Sequence, residues 1–126
     1  MGLRPALYNP SDLTTGHQCW PPVGYLPPPL GASPNVLMNS SLVHKVGDST
    51  IIHSCPTLPF IPHPDIISTG FPTVLVNGTP VALQGTSVLT SLGIPTGIVA
   101  GLATTNVICG AGSLNTPNRL ANFKVP

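Results

Sequence analysis

Proline and glycine recur along the whole chain and decide its fold class. Seventeen Pro and thirteen Gly lie among 126 residues. Because Pro removes a backbone donor and Gly is unfavourable inside a helix, few segments can be helical. Apolar residues make up 41% of the chain, which is enough to form a core rather than a disordered coil. We therefore predict an all-β, loop-rich fold in a single domain over residues 1–126.

Two segments of the chain repeat one pattern at a spacing of 38 residues. Residues 33–48 and 71–86 each alternate apolar and polar residues on both sides of a central turn. Asn77-Gly78 favours a hairpin because both residues tolerate positive φ. The superposed pairs are Pro34 with Pro72, Val36 with Val74, Leu37 with Leu75, Asn39 with Asn77, Val43 with Val81 and Gly47 with Gly85. This period is typical of stacked or radially arranged units.

The remaining parts of the chain carry the pattern weakly. A fainter third copy occupies residues 93–101 and 104–110. Residues 1–13 are interpreted as a lead-in, residues 14–112 as the repeat core and residues 113–126 as a peripheral tail. Together these assignments predict two clear units and an incomplete third.

The charge of the chain excludes some classes of partner. Charged residues make up 6% of the chain, with Lys+Arg 4 and Asp+Glu 3, so no basic stripe is available for nucleic acid. A nearly neutral surface favours association, which predicts a permanent protein partner. No apolar run is long enough to span a bilayer, and the N-terminus lacks the apolar core of a signal peptide. We expect synthesis in the cytoplasm.

Three turns contain cysteine, and two of them also contain histidine. The candidate ligands are His17, Cys19, His44, His53, Cys55 and Cys109. Zinc accepts such a mixture of donors, and ligands from equivalent turns that meet near an axis would form a closed structural site. The alternative is that these histidines are ordinary loop or core residues and that the thiols are small buried hydrophobes. His63, between two prolines and outside the repeat, is interpreted as a linker residue.

An enzymatic role is not favoured. The chain has no Glu and has Asp at positions 12, 48 and 65 alone, so paired general acids and bases are scarce. No phosphate loop or nucleophile elbow is present. A small Cys/His hydrolase remains as an alternative because those partners need only be close in space. We predict a structural protein.

The repeated Pro-x-Val-hydrophobic-x-Asn unit that ends in Gly, with its His and Cys turns, resembles the PAAR-repeat proteins. The similarity covers about residues 14–112, and its first part resembles versions found with contractile phage tails and type VI secretion. The resemblance implies a short, pointed, pseudo-threefold β cone whose base sits on a trimeric β-helical spike. The cone would sharpen the spike for piercing the target envelope. A weakly charged, Pro-stiffened point suits brief contact with a membrane.

The resemblance also implies a structural zinc near the point, held by three histidines and one cysteine. In this chain the predicted ligands are His17, His44, His53 and Cys109, with Cys55 and Cys19 as alternates for the thiol. The chain departs from the family pattern at residues 39–42 and 83–86 and over residues 87–105. A second function is a zinc-stabilised adaptor that attaches effector proteins to a secretion spike.

Overall fold

The computed structural model describes residues 3–15, 23–54, 62–91 and 93–110. Over these ranges the chain forms short strands and no helix, which confirms the all-β class. The strands pair in small antiparallel sheets. They are β1 (Leu37–Met38), β2 (Ser41–Leu42), β3 (Ile66–Ile67), β4 (Phe71–Val76), β5 (Thr79–Val81), β6 (Val88–Ser91) and β7 (Ile94–Ile98).

Two of the sheets are the hairpins that the sequence predicts. β1 pairs with β2, and β4 pairs with β5. The first turn has Asn39 at φ 51° and Ser40 at φ 64°, and the second has Asn77 at φ 51° and Gly78 at φ 84°. Positive φ at both central residues matches the twist of the flanking strands, which is why these turns close hairpins.

The third sheet has β6 in the middle, with β3 and β7 on either side. β7 lies in the first part of the predicted third copy, residues 93–101, and it pairs with β6. The outer edge of β7 is held by Thr15, whose backbone N–H donates to Ile98 O over 3.2 Å and whose Oγ1 accepts from Ile98 N over 2.8 Å.

Three backbone residues at a constant spacing of 38 close a ring of hydrogen bonds. Ala6 N–H donates to Ala82 O over 2.9 Å, Ala82 N–H to His44 O over 3.0 Å, and His44 N–H to Ala6 O over 2.9 Å. All three residues are buried. A second set of three bonds joins the same segments in the opposite direction, from donors two residues later to acceptors two residues earlier: Tyr8 N–H donates to Leu42 O, Val46 N–H to Pro80 O and Gln84 N–H to Arg4 O.

The N-terminal residues therefore belong to the core. The sequence predicts a lead-in over residues 1–13; within it, Ala6 is completely buried and Leu7 is 3% exposed. Leu7 pairs with Val43, and Pro5 pairs with Leu83. The predicted tail, residues 113–126, lies outside the described residues.

The buried side chains form two apolar clusters. The first contains Ala6, Tyr25, Ile67, Ala82, Leu89 and Val99. The second contains Leu7, Val43, Val76, Val81, Leu83 and Cys109. Ala6 and Leu7 are adjacent in an extended segment, so their side chains point to opposite faces and each enters a different cluster.

Candidate metal centre

His53 and His63 face each other across an antiparallel bridge. His53 N–H donates to His63 O over 3.0 Å, and His63 N–H donates to His53 O over 2.8 Å. The side chains of such a directly opposed pair leave the backbone on the same face. The two imidazole centroids are accordingly 4.5 Å apart, with the rings edge to face.

Asp65 adds a carboxylate to this pair. It lies two residues after His63, so the period of an extended segment places both side chains on one face. Asp65 Oδ2 is 3.5 Å from His53 Nε2, and Asp65 Oδ1 is 3.7 Å from His63 Nε2. Asp65 is 1% exposed and His53 is 7% exposed, so the group is largely shielded from water.

The backbone around the group fixes its orientation. Asp65 N–H donates to Thr50 Oγ1 over 2.9 Å, and Thr50 N–H donates to Asp65 O over 2.9 Å. His53 Nδ1 lies 2.9 Å from the carbonyl oxygen of Ile51. A carbonyl can only accept, so Nδ1 donates in this contact and Nε2 is the ring nitrogen that faces Asp65.

These three side chains could hold a metal ion. One ligand atom from each lies within 4.8 Å of the other two. Donors about 2.1 Å from a tetrahedral ion are about 3.4 Å apart, so small side-chain rotations would bring these atoms into range. Imidazole nitrogen with carboxylate oxygen suits zinc and several other divalent transition metals.

His44 occupies a different environment. Its ring packs between Tyr25, at 4.2 Å between centroids, and Tyr8, at 5.9 Å. Its Nδ1 is 3.5 Å from Oδ2 of the buried Asp48, which also accepts the Lys45 backbone N–H over 2.8 Å. Burial, with smaller effects of Asp12 and Asp48, raises the pKa of the Tyr25 hydroxyl and keeps that ring neutral.

Cys109 lies in the second apolar cluster. Its backbone N–H donates to Leu3 O over 2.7 Å, and its side chain packs with Leu7, Val43 and Val76. Burial raises the pKa of its thiol, whereas zinc binds the thiolate. Over the part of the chain that the structure describes, neither Cys109 nor His44 belongs to the group formed by His53, His63 and Asp65.

The other predicted ligands, His17, Cys19 and Cys55, lie outside the described residues. The four-ligand set of His17, His44, His53 and Cys109 therefore stays a prediction. The structure adds His63, which the sequence predicts to be a linker residue, and Asp65, which the sequence pattern does not single out as a ligand. The sequence signal for both is the spacing His63-x-Asp65 in a Pro-flanked, extended segment, which puts a histidine and a carboxylate on one face.

No family model and no curated protein matches the chain. Over the described ranges the chain contains no helix that is long and apolar enough to cross a membrane.

Proposed function

We propose that this chain is a structural tip protein. It binds the end of a trimeric β-helical spike in a contractile injection system, such as a phage tail or a type VI secretion system, and sharpens the spike for piercing the target envelope. A structural zinc ion stabilises it, and it has no catalytic role. The observation that carries this proposal is the closed ring of backbone hydrogen bonds through Ala6, His44 and Ala82.

The ring supports a pseudo-threefold arrangement. The same hydrogen bond occurs three times, each from one segment to another, and the donors and acceptors are all related by steps of 38 residues. The two hairpins also keep the same register: Leu37 is opposite Leu42 in one and Leu75 is opposite Pro80 in the other. Radially arranged units of this kind bury one face against each other, which none of them could do alone.

We assign the third unit to residues 3–7 and 104–109, which contact each other as the strands of the first hairpin do. Leu3 pairs with Cys109, at the position where Met38 pairs with Ser41 in the first hairpin. Thr104 N–H donates to Pro5 O over 3.1 Å, as Ser33 N–H donates to Val43 O over 2.9 Å. In this proposal the third unit resembles a hairpin without its turn, and isolated bridges join its two segments from distant parts of the sequence.

A surface with threefold equivalence fits a partner with a threefold axis. Three apolar residues occupy equivalent positions in the three units: Leu37, Leu75 and Ile108. Each comes directly before a residue that packs in or against the second apolar cluster, namely Met38, Val76 and Cys109 in the same order. Alternation along a strand turns the preceding side chains outward, and they are 60%, 60% and 42% exposed. A homotrimer can offer the same apolar contact to all three positions at once, whereas a monomeric partner would need a different contact for each.

The proposal is tested by mixing the full chain with the purified spike trimer of the same injection system and measuring the mass of the complex in solution. We expect one chain per trimer. One variant that combines Leu37→Ser, Leu75→Ser and Ile108→Ser should bind the spike trimer at least tenfold more weakly. The matched control combines Leu13→Ser, Leu30→Ser and Ile52→Ser, whose targets are 51%, 64% and 67% exposed. No complex with the spike, or equal loss in both variants, would overturn the proposal.

A further inference from the structure

We propose that the side chains of Asn39 and Asn77 position the surface that binds the spike. Each carboxamide bonds its own hairpin turn to a neighbouring unit, and together they hold Leu37, Leu75 and Ile108 at fixed separations. This inference rests on the proposed spike-tip role, because it concerns the same three apolar residues. It gives two polar residues a part in binding through the order that they impose on the units.

The first bond joins the second unit to the first. Asn77 Nδ2 donates to Asn35 Oδ1 over 3.1 Å, and both residues are exposed. Asn77 lies two residues after Leu75, and Asn35 lies two residues before Leu37. The bond therefore connects two positions that are close in the chain to two of the apolar residues.

The second bond joins the first unit to the third. Asn39 Nδ2 donates to Asn106 Oδ1 over 2.7 Å, and Asn39 Oδ1 accepts the Thr105 N–H over 3.0 Å. A backbone N–H can only donate, so the Asn39 amide cannot be reversed without losing the bond to Thr105. Asn106 lies two residues before Ile108, so this bond extends the connection to the third apolar residue.

The two bonds are one contact repeated by the symmetry of the units. The donors Asn39 and Asn77 are 38 residues apart, and both have φ 51°. The acceptors Asn35 and Asn106 are likewise equivalent, since each lies two residues before the exposed apolar residue of its unit. A chance pairing of exposed amides has no reason to recur in register. The recurrence indicates a contact that belongs to the arrangement of the units.

The third contact between units is made without a carboxamide. Gly110 stands in the third unit where Asn39 and Asn77 stand in the others, and it has φ 70°. A Cβ atom on Gly110 would lie 2.9 Å from Cζ of Phe71, so its backbone packs directly against that ring of the second unit. A left-handed residue thus meets a neighbouring unit at all three positions, twice through an amide and once through packing.

Preorganisation explains why these bonds affect binding. β1 and β2 have two residues each, so the first hairpin has few bonds of its own to fix its turn. A threefold partner must meet Leu37, Leu75 and Ile108 at once, and a unit that moves relative to the others has to be ordered first. Bonds that order the units in the free chain remove this cost from binding.

The inference is tested with Asn39→Gly and Asn77→Gly combined in one variant. Glycine accepts the left-handed backbone, so the turns are kept while both carboxamides are lost. We expect a urea unfolding midpoint close to that of wild type and about fivefold weaker binding to the spike trimer. Ser40→Gly is the matched control, because it makes the same kind of change in the first turn at a residue that takes no part in either bond. It should leave spike affinity unchanged.

A double-mutant cycle tests the Asn77 bond from its acceptor side. Asn35→Ala removes the acceptor at an exposed position outside the turn. Asn35→Ala and Asn77→Gly together should weaken spike binding no more than either one alone, because each removes the same bond. Asn35→Ala also keeps the inference testable if the variant with two glycines fails to fold.

Hydrogen exchange in the free chain tests the Asn39 bond without the spike. Thr105 N–H should exchange about tenfold faster in Asn39→Gly than in wild type, and at the wild-type rate in Ser40→Gly. Equal exchange in Asn39→Gly and wild type would overturn the inference. Undiminished spike binding by the variant with two glycines, or additive losses in the cycle, would overturn it and leave the spike-tip role standing. Absence of spike binding by wild type would overturn both.

Discussion

Ala82 donates a backbone hydrogen bond of 3.0 Å to the carbonyl oxygen of His44, 38 residues earlier in the chain, and both residues are excluded from solvent. The same bond links Ala6 to Ala82 and His44 to Ala6. Three segments that are far apart in sequence thus depend on one another. The stability of each should respond to a change in any of the other two.

A larger side chain at the ring should destabilise the whole chain. Ala82 has no exposed surface and packs with Ile67, Leu89 and Val99. We expect Ala82→Leu to lower the free energy of unfolding by about 1–3 kcal/mol, since an overpacked core displaces its neighbours. Urea unfolding measures the change. Thr105→Leu, at an exposed position, is the control and should have little effect. An equal loss of stability in both variants would show that the residues around the hydrogen-bond ring are not tightly packed.

The N-terminal segment should contribute as much stability as either hairpin. Leu7 is 3% exposed in the second apolar cluster, whereas Leu13 is 51% exposed. Leu7→Ala should cost about 2–5 kcal/mol because it leaves a cavity, and Leu13→Ala should cost much less. Thermal unfolding followed by circular dichroism compares the two variants. A Leu7→Ala protein as stable as wild type would show that the N-terminal segment is peripheral.

The first hairpin turn should be improved by glycine. Ser40 has φ 64° where the equivalent Gly78 has φ 84°, and a side chain in this region is strained. We expect Ser40→Gly to raise the free energy of unfolding by about 1 kcal/mol. Ser41→Gly, one residue later in β2, should lower it because strand interiors disfavour glycine. If both variants lose stability in urea unfolding, the turn conformation described for Ser40 is wrong.

The ion pair between Lys45 and Asp48 should matter because the carboxylate is buried. Lys45 Nζ is 2.6 Å from Asp48 Oδ1, and Asp48 has no exposed surface. Lys45→Met should cost about 3–5 kcal/mol because the charge of Asp48 stays buried without this partner. Adding Asp48→Asn should recover part of that loss, since an amide is neutral and still accepts the Lys45 backbone N–H. A double variant less stable than Lys45→Met would refute this account.

Much of the fold could be predicted from local residue patterns. The abundance of Pro and Gly excluded long helices, and Asn77-Gly78 specified a hairpin because few other residue pairs accept two positive φ angles. The copy with Asn39-Ser40 followed from its alternation and spacing. Turn chemistry and strand period are properties of neighbouring residues, so one sequence is sufficient to detect them.

The pairing of residues 3–7 with residues 102–109 and the grouping of His53, His63 and Asp65 were decided by tertiary structure. Residues 104–109 and 3–7 carry no common turn, and nothing in either segment specifies that Leu3 should pair with Cys109. The N-terminal segment also contacts the segments of both hairpins, since Leu7 pairs with Val43 and Pro5 with Leu83. Likewise His53 and His63 meet because their backbones form a bridge, and Asp65 joins them through the alternation of an extended segment. The sequence by itself determined the local conformation and the kinds of ligand available, while long-range pairing selected which of those ligands come together.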